Sequence, residues 1–272
     1  MIKKILKTLS KSTIAALSIL GIVACGALLF ESYIYDYKGA SVVKLTRTHL
    51  GRSGGTGFAI TAPSGKKYTL TNAHICRIAK SLVAHKQDGS TQKVKVVKIY
   101  ENHDLCIMEP VDGLRSLKIA NNIFSHERVW LVGHPALRGL TLESGHFVGT
   151  QIITLMTRCT PLEVNNYVSK LTSRMKEIEK KLKNAKNSVD SIKLSFEYIE
   201  LIFQLQRARM GYCLKRLESQ HINNIAYGGN SGSPVVDKFG NVIGVLFAGR
   251  RDQPTASYTV PLKEIKEFLK DK

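Results

Sequence analysis

The chain has 272 residues, with 40 Lys and Arg against 21 Asp and Glu, for a formal net charge of +19. That length can bury a sizeable core and leaves one or two domains open. So basic a balance favours contact with anionic surfaces, yet no basic run is interleaved with aromatics, so nucleic acid is not an expected partner.

At the N-terminus, Lys3, Lys4, Lys7 and Lys11 stand in a basic tail over residues 1–11. An uncharged, mostly apolar run follows over 12–30. Its 19 residues, at about 1.5 Å each in a helix, nearly match the hydrocarbon thickness of a bilayer. Flanking lysines favour a cytoplasmic N-terminus with the remainder exported. Three forms stay open: an uncleaved single-pass anchor, a cleaved signal, or a lipoprotein acylated at Cys25, because Ile22-Val23-Ala24-Cys25 is similar to a bacterial lipobox. Continuation of the apolar run through Ala27-Leu28-Leu29-Phe30 favours the anchor. All three forms predict an exported, periplasmic or extracytoplasmic domain.

Residues 41–108 then read as six short strands separated by Gly, Pro and Asn signals, at 41–49, 56–61, 67–71, 82–85, 93–100 and 105–108. A second set is expected at 128–133, 146–156, 234–237, 242–248 and 257–260. After it, Pro261 opens a C-terminal helix with Leu262, Ile265 and Leu269 on one face. Residues 159–221 break this rhythm. Val164, Val168, Leu171, Met175, Ile178, Leu182 and Ala185 follow alternating spacings of four and three, a heptad seam. After a turn at 187–191, Ile192, Phe196, Ile199 and Phe203 resume the pattern. The expectation is an antiparallel helical hairpin (a coiled-coil insert over 159–221), offering a surface for a protein partner or for self-association. Its 13 Lys and Arg against seven acidic residues between 158 and 218 are ordinary for a solvated helix pair.

Of the five cysteines, Cys25 lies in the apolar run, and Cys76, Cys106, Cys159 and Cys213 allow three pairings. A hairpin folded about 187–191 brings Cys159 and Cys213 to one base, and Cys76 and Cys106 read first as small buried apolar residues. No pair has CxxC spacing, so no structural zinc is expected, and no metal or organic cofactor is implied.

Three frames carry chemistry. His74 sits in Thr71-Asn72-Ala73-His74-Ile75-Cys76, Asp104 opens Asp104-Leu105-Cys106-Ile107-Met108, and Ser231 lies in Gly229-Asn230-Ser231-Gly232-Ser233-Pro234. A serine hydroxyl is a poor nucleophile at neutral pH; an imidazole must take its proton and a carboxylate must fix the imidazole tautomer. Glycines around Ser231 let the backbone turn so that the amides of Gly229 and Ser231 serve as an oxyanion hole. Asp88 and Asp112 are the weaker substitutes for Asp104, and the other seven histidines lack comparable frames.

The first frame resembles the T-x-A-H-C element of trypsin-like peptidases, the second their aspartate strand, and the third G-[DN]-S-G-G-P. Ser53-Gly54-Gly55-Thr56-Gly57-Phe58 is similar to G-S-G-F, and Val132-Gly133-His134-Pro135 to I-G-x-P. Outside the insert, residues 41–158 and 222–272 thus look like a chymotrypsin-fold serine peptidase of the HtrA/Deg-like bacterial branch, without a following PDZ region. The resemblance implies a mainly β fold of two six-stranded antiparallel barrels, with the insert, the C-terminal helix and the N-terminal anchor helix added. It implies cleavage of protein or peptide substrates through an acyl-enzyme, and a primary pocket at Ile225, Phe247 and Gly249, beside Asn241-Val242-Ile243-Gly244-Val245. An apolar Ile225 points to aliphatic or small side chains in that pocket. Two departures stand out: Ser233 replaces a usual glycine, and Asn230 replaces the aspartate that pairs with a new N-terminus in trypsin zymogens. The alternative reading is a non-catalytic peptidase-fold scaffold whose hairpin docks a partner.

Overall fold

The computed structural model describes residues 24, 26, 29, 31–35, 39–48, 51, 53–77, 79–185, 187–250, 253 and 255–272. The basic tail, Cys25 and most of the expected anchor at 12–30 lie outside the described residues. Among the described residues, no helix is long and apolar enough to cross a membrane.

The chain divides into two compact units, residues 1–150 with 220–272, and residues 151–219. In the first, β1 (Val42–Thr46), β2 (Gly54–Thr61), β3 (Lys67–Thr71), β4 (Ser81–His85), β5 (Thr91–Tyr100) and β6 (Leu105–Met108) form a closed sheet in the order β1-β2-β3-β6-β5-β4. A one-turn helix, α1 (Ala73–Cys76), follows β3. Pairing is antiparallel throughout this barrel, with Phe58 opposite Leu70 and Leu70 opposite Ile107. β5 alternates as a half-buried strand should, with Val94 buried between exposed lysines. A register shift between Val96 and Lys98 interrupts the alternation, and Val97 faces solvent.

The second sheet closes in the order β10-β11-β12-β9-β8-β7. Its strands are β7 (Arg128–Gly133), β8 (Thr141–Arg158), β9 (Tyr212–Asn223), β10 (Pro234–Val236), β11 (Val242–Gly249) and β12 (Ala256–Val260). One buried cluster joins the barrels: Phe58, Ile60, Leu70 and Ile107 from the first meet Trp130, Val132, Val242 and Val260 from the second. The last helix, α4 (Leu262–Leu269), adds Ile265, Phe268 and Leu269 to that cluster, and Leu262 is buried as well. Burying a side chain of this size contributes about 1.5–3 kcal/mol, so a shared cluster holds the barrels in one fixed arrangement.

The second unit contains the helices α2 (Pro161–Lys183) and α3 (Ser188–Arg209) and the parts of β8 and β9 next to them. Thr160 caps α2 through a reciprocal capping box with Glu163, and Asn187 caps α3 by accepting from the Asp190 amide at 2.8 Å. The helices run antiparallel: Tyr167 donates to Gln204 at 2.8 Å, and Arg174 pairs with Glu197 at 2.7 Å. The α2 seam forms as the heptad pattern expects, with Leu171 and Ile178 buried and Val168, Met175 and Leu182 beside them.

Two expectations fail here. The residues of α3 that meet α2 are Leu194, Tyr198, Leu201, Leu205 and Ala208, not Ile192, Phe196, Ile199 and Phe203, which are exposed. Both sets are apolar at helical spacing, and periodicity does not say which one faces the partner. The helical insert also ends earlier than residue 221, because Tyr212–Asn223 is strand. The sharp change falls at Gly211, in a left-handed conformation (φ 84°) that glycine accepts without strain.

Candidate active site

His74 occupies α1 directly after β3, and Asp104 sits one residue before β6, which pairs with β3 through Thr71 and Cys106. The pairing brings the two frames together. The Asp104 carboxylate accepts from the His74 backbone N–H at 2.9 Å and lies 2.7 Å from His74 Nδ1. A carboxylate at that distance favours the tautomer protonated on Nδ1, with the Nε2 lone pair able to accept a proton. The Asp104 carbonyl accepts in turn from the Ala73 N–H and the Asn72 side-chain amide, both at 3.1 Å. Asp104 itself has φ 53° and ψ 41°, a left-handed conformation uncommon outside glycine, held by these four bonds.

The expectation that Cys76 and Cys106 are separate apolar residues is corrected: they form a disulfide, Cα–Cα 6.5 Å, and are buried as expected. Each follows a member of the His–Asp pair by two residues, so the cross-link ties α1 to β6. A second disulfide joins Cys159 and Cys213, Cα–Cα 5.9 Å.

Ser231 lies on the loop between β9 and β10. The loop turns through two glycines at φ 96° (Gly229) and φ 86° (Gly232). At Gly229 a Cβ would lie 2.5 Å from the His134 carbonyl oxygen, and at Gly232 2.1 Å from that of Thr56, so neither position accepts a side chain. The loop docks on β2. Thr56 donates its N–H to the Ser231 carbonyl at 2.8 Å and its hydroxyl to the Gly229 carbonyl at 2.9 Å. The same hydroxyl accepts from the His134 N–H at 3.1 Å, while the Thr71 hydroxyl donates to the Thr56 carbonyl at 2.7 Å. Thr56 is wholly buried at the centre of this network. Beside it, a Cβ at Gly55 would meet the Ser231 carbonyl oxygen at 2.6 Å and Ile75 Cδ1 at 2.8 Å. Only a backbone therefore separates the serine loop from the helix that carries His74. Among the described residues Ser231 Oγ makes no hydrogen bond to His74; such bonds are often long before substrate arrives.

The oxyanion-hole candidates are Gly229 and Ser231. Ala136 donates its N–H to the Gly228 carbonyl at 2.5 Å, and in a trans peptide that turns the Gly229 N–H to the opposite side, away from residues 134–137. Ala136 and Leu137 both have left-handed φ, 52° and 57°, where the chain bends to make this contact. Beneath the loop, Asn230 and Ser233 are fully buried against Gly133, where a Cβ would lie 2.0 Å from Ser233 Oγ. Burial holds the imidazole of His134 below its usual range, favouring the neutral ring; its Nδ1 lies 3.0 Å from the Arg138 carbonyl.

A cavity of about 600 Å³ opens beside Ser231, lined by Ile225, Tyr227, Leu246, Phe247 and Gly249 among others. The three residues expected of a primary pocket therefore share one cavity with the serine. Ile225 is 36% exposed, a wall residue rather than a buried floor. Sequence reasoning missed Thr56 and Ala136. Both act through backbone or hydroxyl contacts that no local pattern announces. Among the described residues no group of His, Cys, Asp and Glu is placed to hold a metal ion.

Residues 55–175 match the family model of the trypsin-like peptidase domain. A putative mitochondrial protease Do-like 12 of Arabidopsis thaliana is 28% identical over 228 residues, covering 79% of this chain and 33% of that protein. The chain thus spans about a third of the length of that curated relative. Among solved structures, the active form of the Rv3671c protease from M. tuberculosis superposes with a TM-score of 0.58 at 18% identity, over 88% of this chain and 83% of that one. A serine endoprotease from Yersinia pestis gives 0.55 at 15%, over 89% and 65%. The HtrA-type protease AlgW with a tripeptide gives 0.55 at 18%, over 87% and 63%.

Proposed function

We propose that this chain, which carries a trypsin-like peptidase domain, works as a serine endopeptidase with His74, Asp104 and Ser231 as its triad. The observation that carries the reading is the bonded His74–Asp104 pair set across Gly55 from the loop of Ser231. Ser231 Oγ attacks the scissile carbonyl while His74 Nε2 takes its proton, and the imidazolium so formed is stabilised by Asp104. The Gly229 and Ser231 amides receive the charge that develops on the carbonyl oxygen. His74 then returns the proton to the leaving amine, and water repeats the sequence on the acyl-enzyme. The apolar cavity wall formed by Ile225, Leu246 and Phe247 suits an aliphatic or small substrate side chain.

We also infer that the domain is exported and held at a membrane by residues 12–30. Support comes from the lysine-flanked apolar run and from two disulfides, which persist in oxidising compartments.

The test is covalent labelling by a fluorophosphonate, with cleavage of a peptide library alongside. Wild type labels and cleaves after aliphatic residues; Ser231→Ala does neither. Asp104→Asn remains folded and loses turnover by about 10⁴-fold. Failure of the wild type to label would leave a peptidase-fold scaffold as the correct description.

A further inference from the structure

Helix α3 is apolar on two opposite faces. Leu194, Tyr198, Leu201, Leu205 and Ala208 pack on α2. At 100° per residue, Val189, Ile192, Phe196, Ile199, Phe203 and Met210 fall on the far side, within a stripe about 80° wide. They are 72, 56, 70, 48, 58 and 63% exposed. Their spacing runs three, four, three, four and seven residues, the alternation of a coiled-coil seam, and covers about 32 Å of helix. A contiguous patch of this kind on a folded surface marks an interaction site.

We propose that this stripe pairs with the same stripe of a second copy, with the two α3 helices antiparallel about a two-fold axis. Charge complementarity selects this occupant and this direction. In heptad terms, Val189, Phe196, Phe203 and Met210 are one core position and Ile192 and Ile199 the other; Lys193, Glu200 and Arg207 border the stripe on one side, seven residues apart. In an antiparallel pair with Phe196 against the partner's Ile199, Ile192 lies against the partner's Phe203, and these four residues make the shared core. Val189 falls opposite the partner's Gln206, and Met210, one residue past α3, lies beyond the paired stretch. Lys193 then faces the partner's Glu200, and the two-fold axis makes that ion pair twice. A parallel pair sets Lys193 and Glu200 against serine positions 188 and 195 and gains no ion pair. An anionic lipid surface fits less well, because Glu200 borders the stripe and the helix face opposite it is apolar and covered rather than cationic. The antiparallel arrangement is isologous and closes at two copies. It does not depend on the peptidase reading.

The test uses the full chain in mild detergent, by sedimentation equilibrium and by zero-length carbodiimide coupling of a mixture of isotope-labelled and unlabelled protein. Expected are a dimer and a mixed-isotope Lys193–Glu200 cross-link. Phe196→Glu and Ile199→Glu should each weaken the dimer by about 100-fold or more with helix content unchanged. Lys193→Glu and Glu200→Lys should each weaken it by about tenfold, and the double swap should restore it. A wild-type monomer at micromolar concentration, a dimer indifferent to Ile199→Glu, or a double swap no better than the single ones would each overturn the proposal. So would binding to anionic vesicles that Ile199→Glu abolishes in a chain that stays monomeric.

Discussion

Thr56 does more for the site than its side chain suggests. Its hydroxyl reaches a carbonyl 173 positions away while accepting from the His134 amide, so one oxygen joins β2, the serine loop and residues 134–137. Thr56→Val leaves a buried N–H and a buried carbonyl without that partner, at about 1–3 kcal/mol each. Expected is a drop in kcat of about ten- to a hundredfold with KM within about threefold, and recovery in Thr56→Ser. Steady-state kinetics beside fluorophosphonate labelling rates would measure it, and equal losses in Thr56→Ser and Thr56→Val would refute a hydroxyl role. The three proposed triad residues stand out in the sequence because each sits in its own short frame, whereas nothing near Thr56 in the chain reveals a partner in the second barrel. Asp88 and Asp112 drop out for the same kind of reason: only Asp104 precedes the strand that pairs with β3.

At the scale of elements, strand positions of the first barrel followed from alternation and turn residues; the second barrel was readable except for β9, which the expected helical insert had absorbed. The bridge between Cys76 and Cys106 was not, because composition cannot choose among three pairings and a small thiol is equally at home in a core. Closing a loop of 30 residues in the unfolded chain corresponds to about 3–4 kcal/mol. Cys76→Ala with Cys106→Ala should therefore lower the urea midpoint markedly. It should also reduce turnover well below the melting temperature, since α1 is then held near β6 only by its bonds to Asp104 and by the packing of Ile75 in the core shared with Met108. A double variant with wild-type kinetics would confine the bridge to stability. The reversed face of α3 has a parallel cause: a helix with two apolar stripes gives two equally good seams, and packing decides between them.

Across the molecule, one buried and one half-buried imidazole couple stability to pH. His134 and His221 both titrate below the ordinary range, in each case through burial. A group with a depressed folded value contributes its full share above the unfolded value, near 6.5, and loses it as pH falls through the folded one. Around His134 the facing groups are Thr56, the Arg138 carbonyl, and the cationic or titratable Lys44 and His85. Melting temperature should thus fall from pH 7.5 to 5.5, with a shallower slope in His134→Gln; an unchanged slope in that variant would place the dependence elsewhere.

Positions 133 and 233 divide one small volume between them, the hydroxymethyl of the serine standing where a methyl on the glycine would go. Ancestry can shift that boundary only in order: the serine must shrink before the glycine grows. Any descendant with Ala at 133 should therefore carry Gly at 233 and have moved Asn230, whose Oδ1 would lie 2.8 Å from the new methyl, and the combination of Ala with Ser should be absent.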